Sequence, residues 1–515
     1  MSWRIPLMLV FFCIAAGCSC LNPELPRVPS FAFDRPEETT LGIHYAAHLA
    51  ASPGLAGFRT LVSGEEAFIV RAATAEAAQK SLDLQYFIVS NDATATLLLY
   101  RALQAAERDV RVRILVDDVG SSDNYNLLST LDAHPGIEVR SYNPFFSQGF
   151  WGGFRVLEYL GDSSRLNRRM HNKLWIADNA VAVIGGRNLG DAYFAVNRSN
   201  NFADLDILMT GPLVRDVSRS FDAYWNNATA IPIKTVLSGP AEPDQLAAIK
   251  EQLKSRAEKF RDTHYANALR ETDFRHLLRN GQLALVTAPA VVLNDLPEKN
   301  FLLQEKHQPI VAALRSTIRG AQREAVLISP YFIPGEHGVA GLCSLAKKGV
   351  RVRILTNSLA STDIPLVHAG YARYRPRLLA CGVELHELRP GVKLARKRLS
   401  LGTTLHAKVV IVDRSTLIVG SMNLDPRSRM LNTEVAVRIE SPVLAEELAA
   451  HFDEAVAIDQ SYRVELVESG NVLSDLVWVG EENSSLVRLD SEPKASVWRH
   501  LVSGLFGSMF PEELM

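Results

Sequence analysis

Short uninterrupted apolar runs alternate along this chain with amphipathic stretches, and the two kinds of segment come in the same order twice. Val110-Arg-Val-Arg-Ile-Leu115 and Val350-Arg-Val-Arg-Ile-Leu355 each close an amphipathic helical stretch with a run typical of a buried strand. Tyr86-Phe-Ile88 matches Tyr331-Phe-Ile333. Gly136-Ile-Glu-Val139 matches Gly382-Val-Glu-Leu385, and in both copies a proline, Pro144 or Pro390, stands eight residues after the glycine. A long-period repeat of alternating strands and helices predicts an α/β protein of two similar lobes, each a mixed sheet flanked by helices. The first lobe is expected over 40–230 and the second over 301–515. A connector over 231–300 contains Ser238-Gly-Pro240, Pro243 and a polar helical segment near 244–280. Near the end, Val497, Trp498, Leu501, Val502, Leu505, Phe506 and Met509 share one helical face before Pro511. That face is expected to pack on the second lobe, with insertion into a membrane interface as the alternative.

Residues 1–20 are patterned differently. Arg4 precedes the apolar run Leu7 to Ile14, followed by Ala15, Ala16, Gly17 and Cys18, the build of a secretory signal peptide. The run is too short to span a bilayer. Ala15-Ala16-Gly17-Cys18 resembles a bacterial lipoprotein signal, which implies lipidation at Cys18, with Cys20 as a second acceptor. The protein is therefore expected to be exported and held on the periplasmic side of a Gram-negative membrane. Ser19 in place of an acidic residue favours the outer membrane by the same resemblance.

Composition changes the picture in two ways. Against 55 Lys and Arg stand 57 Asp and Glu, a net charge of -2, so the general basic excess of a nucleic-acid-binding protein is missing and no nucleic-acid partner is expected. The five cysteines, at 13, 18, 20, 343 and 381, are too scattered for a disulfide framework and never stand in a CxxC spacing, so structural zinc is not expected.

The chemistry lies in His171-x-Lys173-x4-Asp178-x6-Gly185-Gly186-x-Asn188 and its second copy, His406-x-Lys408-x4-Asp413-x6-Gly420-Ser421-x-Asn423. At about one chance in twenty per specified residue, a single His-x-Lys-x4-Asp arises by accident roughly 0.05 times in such a chain, and two extended copies do not. Alternation along Met170 to Ala177 and Leu405 to Val412 puts His and Lys on the same face of a strand. Asp178-Asn179 and Asp413-Arg414 read as tight turns, followed by returning strands Ala180 to Ile184 and Ser415 to Val419. Gly185-Gly186 and Gly420-Ser421 are expected to let backbone approach a phosphate, with Asn188, Ser421 and Asn423 adding hydrogen bonds. Each imidazole needs an orienting carboxylate. Asp204 stands eight residues before Pro212 and Glu434 eight before Pro442, which makes them the choices, with Asp206 competing in the first lobe.

These paired motifs resemble the phospholipase D superfamily over nearly the whole mature chain. Arg165-Leu-Asn-Arg-Arg-Met-His-Asn-Lys173, Gly185 to Tyr193 and Asp204 to Ile207 resemble the bacterial cardiolipin synthases of the C type. The resemblance implies that the lobes meet about a pseudo-twofold axis to form one site with no metal or other cofactor. It implies His171 as nucleophile and His406 as general acid/base, with a phosphohistidine intermediate opened by an incoming hydroxyl. Lys173, Lys408, Asn188 and Asn423 would bind the nonbridging oxygens. Asp178 and Asp413 complete the catalytic motifs, and their place at turns favours a structural role over direct chemistry. The implied substrates are phospholipids, phosphatidylglycerol and a second such as phosphatidylethanolamine, met at a membrane surface. Hydrolysis to phosphatidic acid is the alternative reaction, and a nuclease the weaker one. The basic residues Arg165, Arg168, Arg169, Arg389, Lys393, Arg396, Lys397 and Arg398 are the candidates for anionic headgroups. The aromatic, Gly-rich loop Phe145-Phe146 to Phe150-Trp151 is read as packed, with an acyl-chain contact as the alternative, and oligomeric state is not legible.

Overall fold

Two sheets of like construction account for most of the chain in the computed structural model, which describes residues 27–145, 152–196, 201–237, 243–271, 282–300, 308–391, 404–467, 475–482 and 484–506. In the first sheet Ser81–Tyr86, Arg111–Asp117 and Ile137–Tyr142 run parallel. Leu174–Ala177, Val181–Gly185, Asp206–Thr210 and Ala56–Leu61 continue it antiparallel. The second sheet repeats this order: Glu324–Ile328, Arg351–Asn357 and Glu384–Leu388 are parallel, and Val409–Val412, Thr416–Gly420, Val435–Glu440 and Ala290–Asn294 antiparallel. The two repeated Val-Arg-Ile-Leu runs are central strands, where β-branched residues are buried on both faces. The lobes meet through apolar side chains, and Leu205, Leu355, Leu388 and Leu405 belong to one buried cluster drawn from both. Burial of such a leucine contributes about 1.5–3 kcal/mol.

The connector is not free-standing. Helices Pro243–Arg261 and His264–Glu271 pack on the first lobe, with Leu253 and Leu269 in its core. Val286–Ala288 pairs with Ala56–Leu61, and Ala290–Asn294 pairs with Val435–Glu440, so residues assigned to the connector supply an edge strand to each sheet. Runs of three and five residues are too short for a period-of-two signal to stand out.

Cys343 and Cys381, 38 residues apart with 5.4 Å between Cα atoms, form a disulfide between the helix Gly335–Lys347 and the end of Arg375–Ala380. The scattered cysteines thus hold one bridge, which cysteine spacing did not reveal because the pairing is set by the packing of two helices. Both motif turns have positive φ at two successive residues, 53° and 52° at Asp178 and Asn179 and 52° and 51° at Asp413 and Arg414, as a tight hairpin requires. Among the described residues no helix is long and apolar enough to cross a membrane. Residues 1–26, with Cys18 and Cys20, lie outside the described residues.

Candidate active site

Each motif begins on an extended segment that crosses to the other lobe before it joins its own sheet. Met170 forms a parallel bridge with Thr433, and the His171 amide donates to the Thr433 carbonyl at 2.9 Å. Thr404–Leu405 pairs in parallel with Phe202–Ala203, and the His406 amide donates to the Ala203 carbonyl at 2.8 Å. Thr433 is followed by Glu434 and Ala203 by Asp204. The carboxylate partners are therefore exchanged between lobes: His171 Nδ1 lies 2.9 Å from Glu434 Oε2, and His406 Nδ1 lies 2.6 Å from Asp204 Oδ2. Sequence spacing identified both acids and left the pairing open. Asp206, the competing choice, is committed to Arg71 at 2.9 Å and lies 3.5 Å from Arg187.

Two lysines complete the cluster. Lys173 Nζ donates to the His171 carbonyl at 2.6 Å, and Lys408 Nζ donates to the His406 carbonyl. Four basic groups are thus concentrated at the interface. Burial holds the His171 imidazole well below its ordinary value, and Lys173, Lys408 and His406 push it the same way. His406 is also lowered by burial and by Lys408, while Asp204 works against the shift. Burial opposes ionisation of Asp204, yet His406 and Lys408 hold its carboxyl well below the usual range. Burial pushes Glu434 up to about 7, and Lys408 is brought down to about 8. The dyads therefore differ: Asp204 stays ionised beside His406, whereas Glu434 titrates near neutrality beside His171.

Several predicted site residues have other duties. The carboxylate of Asp178 accepts from the amides of Gln79, Lys80 and Ser81, and that of Asp413 from the amides of Gln322, Arg323 and Glu324. Each holds the start of a neighbouring strand, at the far end of the strand that follows its lysine. The glycines make room for the acid-bearing strands rather than for a phosphate. A Cβ on Gly185 would lie 2.1 Å from Asp206 Oδ1, one on Gly186 2.1 Å from Asp204 Oδ1, and one on Gly420 2.3 Å from the Val435 carbonyl oxygen. Ser421 Oγ donates to Glu434 Oε2 at 2.5 Å and accepts from the Val435 amide, so it supports the carboxylate. Asn188 accepts from the Ile88 amide and donates to the Tyr193 hydroxyl, while the buried Oδ1 of Asn423 has no partner among the described residues.

The basic candidates change as well. Arg169 is buried against Asp117, Arg165 is held by Asp162 and Glu158, and Arg389 binds the carbonyls of Ile458 and Asp459. A guanidinium buried as in Arg169 and Arg389 needs such partners, which removes these two as headgroup contacts, while Arg165 is half-buried. Arg168 donates to the Lys299 carbonyl. Lys393, Arg396, Lys397 and Arg398 lie outside the described residues, as do Phe146, Phe150 and Trp151. Phe145 is buried under Arg155. The C-terminal segment meets the second lobe in part, with Val502–Phe506 against helix Pro365–Ala372 and Arg499 donating to the carbonyls of Leu359 and Thr362, while Val497 and Trp498 are exposed.

Residues that motif reading missed surround the pairs. Asp117 Oδ2 accepts from the Met170 amide, and Asn357 exchanges two hydrogen bonds with Leu405, so each holds the residue before a motif histidine. Both stand two residues after the repeated Val-Arg-Ile-Leu run, a signal present in the sequence. Phe87 packs edge-on against His171 at 5.1 Å, and Tyr193 and Phe202 lie 5.4 and 5.0 Å from His406. Behind Glu434, Asp295 accepts from the Glu434 amide at 3.2 Å and pairs with the buried Lys299 at 2.6 Å.

Comparison with known proteins shows the family. The family model described as cardiolipin synthase, phospholipase D-like domain, matches residues 72–225 and 314–456. Cardiolipin synthase C of Escherichia coli K12 is 38% identical over 90% of this chain and 96% of its own length. Cardiolipin synthase of Geobacillus kaustophilus is 27% identical, over 73% of this chain and 61% of its own length. The crystal structure of phosphatidylserine synthase from Haemophilus influenzae superposes with a TM-score of 0.54 at 14% identity, over 80% of this chain and 89% of that one, which speaks to the fold alone.

Proposed function

The chain belongs to the cardiolipin synthase, phospholipase D-like family and is a phospholipase D-type phosphatidyltransferase; we propose that it makes cardiolipin from phosphatidylglycerol and a second phospholipid through a phosphohistidine intermediate. The observation that carries this reading is the pair of lobe-crossing imidazole–carboxylate dyads with a lysine beside each. His171, kept neutral by burial, attacks the donor phosphorus through Nε2. The phosphorus–oxygen bond to the leaving alcohol breaks, and His406 gives that oxygen its proton. His406, paired with an ionised carboxylate, is the imidazole better suited to hold a proton. The acceptor hydroxyl then loses its proton to His406 and attacks phosphorus, and the bond to His171 breaks. Lys173 and Lys408 leave their backbone carbonyls to bind the nonbridging oxygens, where charge develops.

A transferase and a hydrolase share the first half of this sequence and differ in which hydroxyl opens the intermediate. Purified enzyme incubated with phosphatidylglycerol, with and without phosphatidylethanolamine, is expected to yield cardiolipin by mass spectrometry. Phosphatidic acid as sole product would overturn the synthase reading.

The same reading places the enzyme outside the cytoplasm on a membrane surface, as an outer-membrane lipoprotein. The Cys343–Cys381 disulfide supports an oxidising compartment. An apolar face formed by Val156, Leu157 and Leu160, each more than half exposed, supports a lipid surface. It lies on helix Gly152–Gly161, which is tied through Arg155 to Asp118, next to the Asp117 that holds Met170. Cys18→Ser is expected to release the protein from membranes on fractionation; unchanged association would assign the anchor to another segment.

A further inference from the structure

The lobes are alike in topology and unlike in the surface beside their first parallel strand. Helices Gly64–Ala77 and Ala93–Ala106 of the first lobe flank the strand Ser81–Tyr86 and pack on each other. The connector helices Pro243–Arg261 and His264–Glu271 lie against their junction, and Phe260 and Leu269 help line a cavity of about 490 Å³ there. The corresponding helices of the second lobe, Pro309–Arg319 and Gly335–Lys347, stand apart. Between them runs an apolar groove of about 480 Å³, with Leu314, Ile318, Phe332 and Leu342 among its walls, and no described element roofs it.

Two glycines stand on the wall of the groove. Counted back from the shared Val-Arg-Val-Arg-Ile-Leu run, Gly338 and Gly341 stand where the first lobe has Leu98 and Arg101. A Cβ on Gly341 would meet nothing within 4 Å, so no packing contact requires glycine there. A glycine inside a helix destabilises it relative to alanine. What that position leaves is open space in the groove.

The groove borders residues of the second motif. Ile328, at the end of the strand from which the second helix departs, stands opposite Val409, beside Lys408. Met422 and Leu424, on either side of Asn423, face the groove. A cavity of about 10 Å³ bounded by Leu314, Met422 and Leu424 also touches Lys408 and Gly420. Helix Pro426–Met430 borders both places: Arg429 lies on the groove, while the charge of Arg427 acts on His171. Apolar walls, a flank at Met422 and Leu424 beside Asn423 and cationic margins at Arg315 and Arg429 match one occupant, the tail of an anionic lipid.

We propose that the groove between Pro309–Arg319 and Gly335–Lys347 holds one acyl chain of the phospholipid whose phosphate reaches Lys408. This rests on the phosphatidyltransferase reading and deepens it: the twofold of the catalytic groups is broken by an acyl site in the second lobe alone, so the two lipids are held differently.

The test compares donors of one headgroup and increasing acyl length, from short-chain monomeric to long-chain lipid in mixed micelles, by donor consumption. In the wild type kcat/KM is expected to rise with chain length. Gly341→Phe, which fills the groove, is expected to flatten that rise, losing about tenfold on the long-chain donor, as for the lost burial of two methylenes, with the short-chain rate unchanged. Gly341→Ala serves as the conservative control, and Ile318→Trp narrows the groove from the other wall and is expected to act alike. An equal effect on all chain lengths, or a lowered melting temperature with the chain-length ratio intact, would overturn the proposal and assign the groove to a protein segment. Because donor consumption is read, a water-accepting enzyme would refute the synthase reading and leave this result standing.

Discussion

Replacing either His171 or His406 by alanine is expected to lower turnover by more than about 10⁴-fold, since the two imidazoles act as a unit and loss of one forfeits both half-reactions. The variants should retain the melting transition of the wild type. Each ring is buried against one carboxylate, and its neighbours, Phe87 on one side and Tyr193 and Phe202 on the other, keep their own packing. Acid quench during turnover followed by peptide mapping should find the phosphatidyl group on His171. Its recovery on His406 would reverse the roles, and activity lost to a chelator and restored by a divalent ion would defeat the histidine-only scheme.

Glu434→Gln is expected to lower kcat by about 10²–10⁴-fold, the range for a group that sets tautomer and orientation of a catalytic imidazole. His171 attacks through Nε2 only when its proton sits on Nδ1 and is donated to an ionised Glu434. Burial brings that carboxyl up to about 7, with Lys173, Ser421 and Lys299 opposing the shift. Asp295, on the connector, stands behind it. Below the pKa of Glu434 its protonated form occupies Nδ1 and leaves the proton on the attacking nitrogen, so activity rises with pH through about 7. Above about 8 Lys408 loses the charge that binds phosphate, and activity falls. The profile of kcat/KM should be a bell between these limits, belonging to the coupled groups rather than to single residues. The glutamine variant should lose the acid limb while keeping the alkaline one. An unchanged acid limb in that variant would exclude Glu434 as the group that titrates.

The duplication, the strand–turn–strand form of each motif and both orienting acids were legible in the sequence. Alternation of period two, positive-φ turn residues and apolar runs are local consequences of backbone geometry, so they leave marks within a few residues. The turn role favoured for Asp178 and Asp413 is of this kind, since the amides they bind open the strand next door.

Matters that depend on which surfaces meet were not legible. His171 and Glu434 are 263 residues apart and His406 and Asp204 202 apart, and no spacing rule says whether an acid serves its own lobe or the other. Gly185, Gly186 and Gly420 looked like phosphate contacts because glycine reports close approach without naming what approaches, which here is the acid-bearing strand. Arg169 and Arg389 read as a headgroup surface because charge in sequence does not reveal burial, and each is consumed by an internal partner. The Cys343–Cys381 bridge and the groove beside Gly341 likewise depend on how two helices lie. The paired chemistry and the repeated lobe follow from local pattern; the exchange of partners across the interface follows from packing, because the apolar surface shared by the lobes sets each histidine beside the acid of the other.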